Sequence, residues 1–358
     1  AAPWKSQTDA IEILDDDFIS DDGREIWSIL ADHDIDNVLL VGVHTNMCVL
    51  GRPFGLRQMA KNGKHVALVR DLTDTMYDPA RPPYVSHFTG TDRIVEYIET
   101  YVCPTVTSDQ LTGGAPFRFS RDTRPHVVIV TAEREYLTAT TLPQFAREHL
   151  GREFRTSHVF ADPDDRNRLP GIDVLADADV LLLSVRRRWL PPEELAVVRD
   201  FIARGGAVVG IRTANHAFCQ RTSSPPPELA DWPEFDQEIL GGNYSNHHGN
   251  GPQVAVRFAD DADHPLLASI DAASLVGHGS LYQVSPLAPT TEVLLTGSIP
   301  GESPEPIAWT NVTRHGGRVF YTSLGHPDDF GQPAFNDLLA AALRLAARRS
   351  DELPPPSP

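Results

Sequence analysis

The chain is poor in cysteine and in positive charge, and it has no long hydrophobic run. Three cysteines in 358 residues are too few and too scattered for a disulfide framework. Lys and Arg number 31 against 49 Asp and Glu, so the net charge of −18 disfavours nucleic acid or an anionic membrane surface as a partner. The one basic run, Arg186-Arg187-Arg188, has apolar flanks, and we predict that Arg186 serves a small anion or an internal ion pair.

The absence of an apolar run of about 18 residues predicts that no segment spans a membrane. Hydrophobic residues make up 41% of the chain and charged residues 22%, which is typical of a soluble globular protein with room for two domains. The chain opens Ala-Ala-Pro-Trp rather than with Met, so a signal peptide and the cellular compartment stay open. The proline-rich end, residues 349–358, is predicted to be a disordered tail.

Residues 1–112 alternate between strand and helix patterns. Val38–Val43 is a continuous apolar run, as in a strand buried on both faces of a parallel sheet. A helix is predicted from about Met47 to Asn62, then a strand at Val66–Arg70 and a helix from Thr91 to Tyr101. These alternations predict a first α/β domain.

A linker at 113–124, which contains Gly113-Gly114, separates this region from a second α/β pattern at 125–348. Its predicted strands are at 127–130, 156–161, 180–185, 207–211, 253–258, 291–297, 306–311 and 317–323, and its helices at 141–150, 191–204 and 334–347. Repeated βα units predict a second sheet. The predicted fold class is therefore α/β, with two doubly wound, mostly parallel sheets and flanking helices.

One cysteine stands where a thiol can be activated. Cys48 follows the strand Val38–Val43 through a short polar turn, where the next helix is predicted to begin. The positive end of a helix dipole and unpaired backbone N–H groups stabilise the nucleophilic thiolate. Cys48 is therefore a candidate catalytic nucleophile, with a small buried core cysteine as the alternative.

The residues around Cys48 carry a family resemblance. Gly42-Val43-His44-Thr45-Asn46-Met47-Cys48-Val49 resembles the G-x-x-T-x-x-C-V signature of the isochorismatase-like cysteine hydrolases, and the likeness continues to about Ser108. That family pairs its cysteine with an Asp from the first strand and a Lys from a later one. Here no apolar strand ending in Asp precedes Cys48, and the Lys position reads Ile11-Glu12-Ile13. The resemblance implies a partial domain with an incomplete triad.

A second polar turn follows the predicted strand Ala207–Ile211. It offers Arg212 and Thr213 at once, and His216 about one helical turn later. The carboxyl ends of strands are the places where doubly wound sheets position ligand chemistry. Cys219 comes too late in the sequence to act as a nucleophile at this turn.

Two later loops combine glycine with amide and imidazole side chains, which suit hydroxyl groups, proton transfer or a metal ion. Their candidate residues are Asn243, Tyr244, His247 and His248 in the first loop, and His326 in the second. The predicted catalytic histidines are His216, His248 and His326. A divalent metal at these histidines is open but not favoured, because no spacing such as H-E-x-x-H is present.

The second half resembles the ThuA-like, or trehalose-utilisation, family, whose fold is related to class I glutamine amidotransferases. The matching stretches include 181–187, 210–218, 232–235, 241–249, 280–282, 305–309 and 317–330. The amidotransferase relatives place a cysteine at the elbow, which this chain lacks, so glutaminase chemistry is disfavoured. The resemblance implies a sugar or oxidised-sugar substrate, and it implies pocket roles for Arg212, His216, Asn243, His247, His248 and His326.

Three functions remain open from the sequence. The first is a ThuA-like enzyme that acts on a sugar or oxidised sugar derivative and is fused to an isochorismatase-like hydrolase domain. Its histidines would transfer protons while Arg212 and Asn243 orient oxygen atoms. The second is a hydrolase of amide or ester bonds that uses Cys48. The third is a carbohydrate-binding or assembly protein without catalysis. A first sheet without an upstream strand would expose an edge, so we also expect a homo-oligomer.

Overall fold

The computed structural model describes residues 8–249, 253–260 and 262–348. These residues divide into two compact units, and the boundary falls between Thr123 and Arg124. The tail predicted at 349–358 lies outside the described residues. Within the described ranges, no helix combines the length and the apolar character needed to cross a membrane.

The first unit is a three-stranded parallel sheet with helices. Its strands are β1 (Asn37–Val43), β2 (His65–Asp74) and β3 (Thr105–Val106), in the spatial order β1-β2-β3. Its helices are α1 (Gly23–Asp32), α2 (Leu56–Lys61), α3 (His87–Tyr101) and α4 (Asp109–Thr112). The small core contains Leu56, Leu68 and Ile98, all fully buried.

The helix predicted at 47–62 is wrong as a continuous element. The chain forms a π-helical turn at Thr45–Val49, breaks, and resumes as α2. Pro53 stands in the break, where it has no N–H to donate and its ring would clash with a preceding helical carbonyl. Cys48 is therefore the fourth residue of a five-residue turn and does not lie at the start of a long helix.

The first strand leaves one face uncovered. Leu39, Val41 and Val43 alternate along β1 and each is at least half exposed. Alternating residues of a strand point to the same side of a sheet, so these three side chains form one apolar stripe.

The second unit is built on a nine-stranded mixed sheet. Its parallel half consists of β4 (His126–Ala132), β5 (Arg155–Phe160), β6 (Val180–Val185), β7 (Ala207–Ile211) and β14 (Arg318–Thr322). Antiparallel strands complete it: β9 (Val254–Phe258), β10 (Val276–Gly277), β12 (Glu292–Ser298) and β13 (Glu305–Val312). The spatial order is β10-β9-β12-β13-β14-β7-β6-β4-β5.

Helices cover the parallel half of this sheet. They are α5 (Thr138–Phe145), α6 (Pro192–Ala203) and α7 (Pro333–Ala347), and a separate two-stranded ladder pairs β8 (Asn246–His247) with β11 (Tyr282–Gln283). Every residue of β4, β6 and β7 is buried, as expected for parallel strands covered on both faces. Helix α6 begins at a proline followed by Glu193 and Glu194, whose carboxylates favour the positive end of the helix dipole.

The strand order creates a crevice at one end of the sheet. β5 and β6, which follow β4 in the chain, lie on opposite sides of β4. The connections therefore leave β4 and β6 in diverging directions at their carboxyl ends, which is where open α/β sheets bind ligands.

The prediction of an α/β protein with mostly parallel sheets is confirmed. The antiparallel half of the large sheet and the simple β1-β2-β3 order of the small one are details that the sequence pattern does not predict. The antiparallel direction of the short strands beyond residue 250 is seen only from which residues face each other across the sheet. The spacing of hydrophobic residues along the sequence does not contain this information.

Replacing Leu182 with Ala tests the packing of the central strands. Leu182 is fully buried in β6, so the substitution should lower the free energy of unfolding by about 2–5 kcal/mol. The matched control is Leu137→Ala, because the Leu137 side chain is 59% exposed and should cost well under half as much. Equal losses in urea unfolding curves would contradict the assigned core.

Candidate functional site

A polar cavity of about 280 Å³ opens at the carboxyl ends of β4, β6 and β7. Its walls come from the loops after these three strands and from the β8–β11 ladder. The lining residues are Glu135, Tyr136, Arg186, Arg187, His216, Arg221, Tyr244, His247 and Tyr282. The cavity thus lies in the crevice that the strand order creates.

His216 is the buried imidazole of this cavity, with 5% of its surface exposed. Its Nδ1 donates a hydrogen bond to Oδ1 of Asn215 at 2.6 Å, so Nε2 carries the lone pair. No residue that the structure describes donates a hydrogen bond to Nε2. The ring stacks on Tyr244, with the two centroids 4.5 Å apart and the planes 22° apart.

The surroundings of His216 keep it neutral. Burial is the main cause that lowers the pKa of His216 well below its usual value, and the charges of Arg187, Arg186, Arg221 and Arg212 lower it further. At neutral pH the ring is therefore an uncharged acceptor and a candidate general base.

Two of the cavity arginines are held in place by neighbours. Nη2 of Arg186 lies 3.0 Å from Oε1 of Glu135, and Nη2 of Arg221 lies 3.2 Å from Oδ1 of Asn246. Arg187 is different, because its guanidinium makes no hydrogen bond or ion pair with any residue in the described ranges. Its backbone has a φ of 50°, a left-handed conformation that non-glycine residues adopt rarely and often at functional sites.

Arg212 lies behind the cavity wall. It is 2% exposed, its Nη1 donates to the carbonyl of Ser323 at 2.7 Å, and its guanidinium carbon lies 4.3 Å from the ring centre of Tyr136 and 4.9 Å from that of Tyr282. A side chain at Gly279 would place its Cβ 1.9 Å from Nη2 of Arg212, so any larger residue there would displace the guanidinium from its present position. Arg212 therefore positions the two tyrosines, and because it lines neither cavity, its direct contact with substrate oxygens stays a prediction.

A carboxylate inside the unit holds the loop that carries Tyr136. Both oxygens of the buried Glu133 accept hydrogen bonds, from the backbone N–H groups of Glu135 and Tyr136 and from the N–H and hydroxyl of Thr138. These bonds fix the turn between β4 and α5, and with it the Tyr136 ring at the cavity wall.

A smaller cavity of about 130 Å³ adjoins the first and shares Arg187, His216, Arg221 and Tyr244 with it. It is also lined by Asn215, Asn243 and Asp236. The side-chain nitrogen of Asn215 and Oδ1 of Asp236 are buried there without a hydrogen-bond partner in the described structure. Buried polar atoms of this kind normally have a partner, so these two suit polar atoms of a ligand or water.

Asp236 is a carboxyl group with an unusual environment. Burial raises its pKa to about 7, and a 2.7 Å hydrogen bond from the N–H of Tyr244 offsets this only in part. A carboxyl group that begins to lose its proton only near pH 7 and a neutral imidazole therefore line the same small cavity, a combination that enzymes use for proton transfer.

Four of the six predicted substrate-binding residues line a cavity and two do not. Arg186, Tyr244 and His247 line the larger cavity, and Asn243 and Tyr244 line the smaller one. Arg212 and Thr213 line neither, and the Thr213 hydroxyl is fully buried without a partner in the described structure.

His248 and His326 are not brought to His216. The Nδ1 of His248 lies 3.2 Å from Oε2 of Glu302, and its Nε2 lies 3.6 Å from Oε1 of Glu305. His326 caps the short helix Pro327–Gly331, where its Nδ1 accepts a bond from the N–H of Asp328 at 3.3 Å. Neither ring lines either cavity, although the His326 ring lies edge-on to Tyr136 with the two centroids 6.1 Å apart. One centre shared by the three histidines therefore stays a prediction.

A metal centre receives no support from the geometry. Among the residues the structure describes, no group of three or more His, Cys, Asp and Glu side chains could hold a metal ion. Cys48 belongs to the first unit, and its partly exposed thiol has no hydrogen-bonded base among the described residues.

Several cavity residues escaped the sequence analysis. Tyr136 follows β4 as His216 follows β7, so the strand-end rule applied to β4 would have found it. Arg221, Tyr282 and Asp236 come from loops distant in sequence, and no spacing signals their approach.

The sequence pattern of the family described as "ThuA: Trehalose utilisation" matches residues 119–346. Residues 1–118 lie outside that match. No curated protein gives a significant match to the chain.

Solved structures show weaker likeness. A ThuA-like protein from Bacteroides uniformis is 19% identical with a TM-score of 0.47, over 65% of this chain and 95% of that one. A ThuA-like protein from Parabacteroides merdae is 16% identical with a TM-score of 0.45, over 65% and 94%. A glutamine amidotransferase from Methylobacillus flagellatus is 14% identical with a TM-score of 0.37, over 63% and 96%. These scores are all below 0.5 and by themselves establish no shared fold.

Replacing Asp236 with Asn tests its raised pKa. The folded state keeps the proton up to about pH 7, whereas the unfolded chain loses it near the usual value of 3.8. The contribution of Asp236 to the free energy of unfolding is therefore fully present below pH 3.8. It decreases as the pH rises to 7, by up to about 1.4 kcal/mol per pH unit.

Asn cannot ionise, so the free energy of unfolding of the variant does not contain this pH-dependent loss. The difference between the variant and the wild type should therefore increase in favour of the variant from pH 4 to pH 7 and stay constant above pH 7. Urea unfolding across this range measures the difference. The control is Asp200→Asn on the exposed face of α6. A difference for Asp236→Asn that does not change with pH would show that its carboxyl titrates normally.

Proposed function

Because the chain belongs to the ThuA, or trehalose-utilisation, family, we propose that it is an enzyme acting on a sugar or an oxidised sugar derivative. His216 is the proposed general base, and Nε2 is the atom that accepts the substrate proton. The observation that carries the proposal is this neutral, buried imidazole, which lines a polar cavity and whose Nε2 receives no hydrogen bond from the described residues.

The cavity wall suits a hydroxyl-rich molecule. Tyr136, Tyr244 and Tyr282 line the cavity, and tyrosine suits a sugar because its ring packs against C–H surfaces and its hydroxyl bonds to oxygens. The neighbouring chamber adds the unpartnered amide nitrogen of Asn215 and the carboxyl of Asp236. A sugar that occupies both cavities would place a hydroxyl-bearing carbon beside His216.

The proposed proton transfer uses groups already in position. The bond between Nδ1 of His216 and Oδ1 of Asn215 fixes the tautomer, as the orienting group does in other acid–base pairs. Nε2 removes a proton from the substrate, and the protonated ring is then stabilised by the carbonyl of Asn215. Asp236, protonated near neutral pH, is placed to return a proton to another substrate oxygen.

His216→Gln tests the base. A panel of sugars and oxidised sugars is screened by NMR for any conversion by the full chain, and kcat is then compared on the converted compound. Loss of a general base should lower kcat by about 10²- to 10⁴-fold. His315→Gln, on an exposed turn beyond β13, is the matched control and should leave kcat unchanged.

His248→Gln separates the two histidine assignments in the same assay. Since His248 is turned to Glu302 and Glu305, its replacement should change kcat far less than that of His216. Unchanged kcat in His216→Gln would remove the imidazole from the mechanism.

A second proposal retains the resemblance of the first unit to isochorismatase-like cysteine hydrolases, with Cys48 as the nucleophile of amide or ester cleavage. It is supported by the partly exposed position of Cys48 in the turn that follows β1. The apolar stripe of Leu39, Val41 and Val43 supports the related prediction of a homo-oligomer.

Iodoacetamide labelling at neutral pH tests Cys48. An activated thiolate reacts faster than a free thiol at the same pH, so we expect Cys48 to label faster than glutathione, with Cys48→Ser as the blank. Labelling no faster than glutathione would count against a nucleophile.

A further inference from the structure

The larger cavity carries an excess of positive charge. Arg186, Arg187 and Arg221 line it with only one carboxylate, that of Glu135, and His216 is neutral. Its lining cations exceed its lining anions by two, in a chain whose net charge is −18. Like charges held together without counter-charges destabilise a fold, so such a cluster indicates a function that uses it.

Arg187 is the least compensated member of the cluster. Burial lowers its pKa, and the nearby charges of Arg221 and Arg186 lower it further. Its guanidinium makes no hydrogen bond or ion pair with the described residues, and both Arg187 and Arg212 have left-handed backbones. A left-handed backbone costs energy for a non-glycine residue, so it persists only where the surrounding structure holds it in place, and such residues cluster at functional sites.

We propose that this cavity binds the anionic oxygens of an acidic sugar derivative, a carboxylate or a phosphate, through Arg187 and Arg221. The sugar part of this statement rests on the proposed function, and the anionic part rests on the cluster. A guanidinium offers a planar fork of N–H donors that matches both anions, whereas a neutral sugar leaves such charges unpaired.

A bound anion would also act on His216. The arginine charges are the second cause of its lowered pKa after burial, and a negative group between them and the ring offsets those charges. The imidazole would therefore become a stronger base when the substrate is present. An acidic substrate thus suits the base in a way that a neutral sugar does not.

Calorimetric titration of the full chain tests the proposal with three probes of one size class: D-glucuronate, glucose 6-phosphate and glucose. At least one acidic probe should bind about tenfold or more tightly than glucose, as expected for charge-assisted hydrogen bonds. Added salt should reduce this preference, because it screens the charges. Comparison of the two acidic probes shows which anion the cavity prefers.

Arg187→Gln should remove the preference for the acidic probe, and Arg221→Gln provides a second variant should the first not fold. The matched control is Arg257→Gln, on the exposed side of β9 and outside both cavities. This variant should still bind the acidic probe more tightly than glucose. Equal binding of glucose and both acidic probes, no binding of either acid at millimolar concentration, or an unchanged preference in both cavity variants would overturn the proposal.

The result is separable from the test of the base. Binding of an acidic probe by His216→Gln without turnover leaves the anion site in place. If the protein converts a neutral sugar but binds the acidic probes no more tightly than glucose, the anion site is overturned. The proposed role of His216 as the base is not affected by that result.

Discussion

A neutral imidazole surrounded by guanidinium groups is the constraint on which the candidate site depends. Burial removes water from His216, and the positive charges around it make a second charge unfavourable. The hydrogen bond from Nδ1 to Asn215 then leaves Nε2 as the free acceptor. Burial, the nearby positive charges and the fixed tautomer thus all keep Nε2 of His216 an unprotonated acceptor, on a ring that lines a polar cavity.

The large sheet supplies the geometry. The order β7-β6-β4-β5 brings three strand ends together, and each contributes one part of the site: Tyr136 after β4, the arginines after β6 and His216 after β7. Arg212 braces this arrangement from behind, since it connects the turn after β7 to Ser323 and packs against two cavity tyrosines. The buried strands position the site, and the loops provide its chemistry.

The sequence was informative where a local rule applies. Buried parallel strands are continuous apolar runs, so β6 and β7 were predicted at their observed bounds. The strand-end rule led to His216, and the one basic run of the chain led to Arg186. The same rule could not show where a side chain points: His248 turns to two glutamates and His326 caps a helix. Arg221 and Asp236 reach the cavities by tertiary packing alone, which periodicity does not encode. Pro53, by contrast, was a visible helix breaker in the helix predicted at 47–62.

The most direct measurement of the central claim is the nitrogen NMR spectrum of the His216 imidazole, assigned by its loss in a variant without that ring and followed from pH 5 to pH 8. The account predicts a neutral ring throughout, with the proton on Nδ1 and the lone pair on Nε2. Titration near the usual histidine pKa of 6.5, or a proton on Nε2, would contradict it.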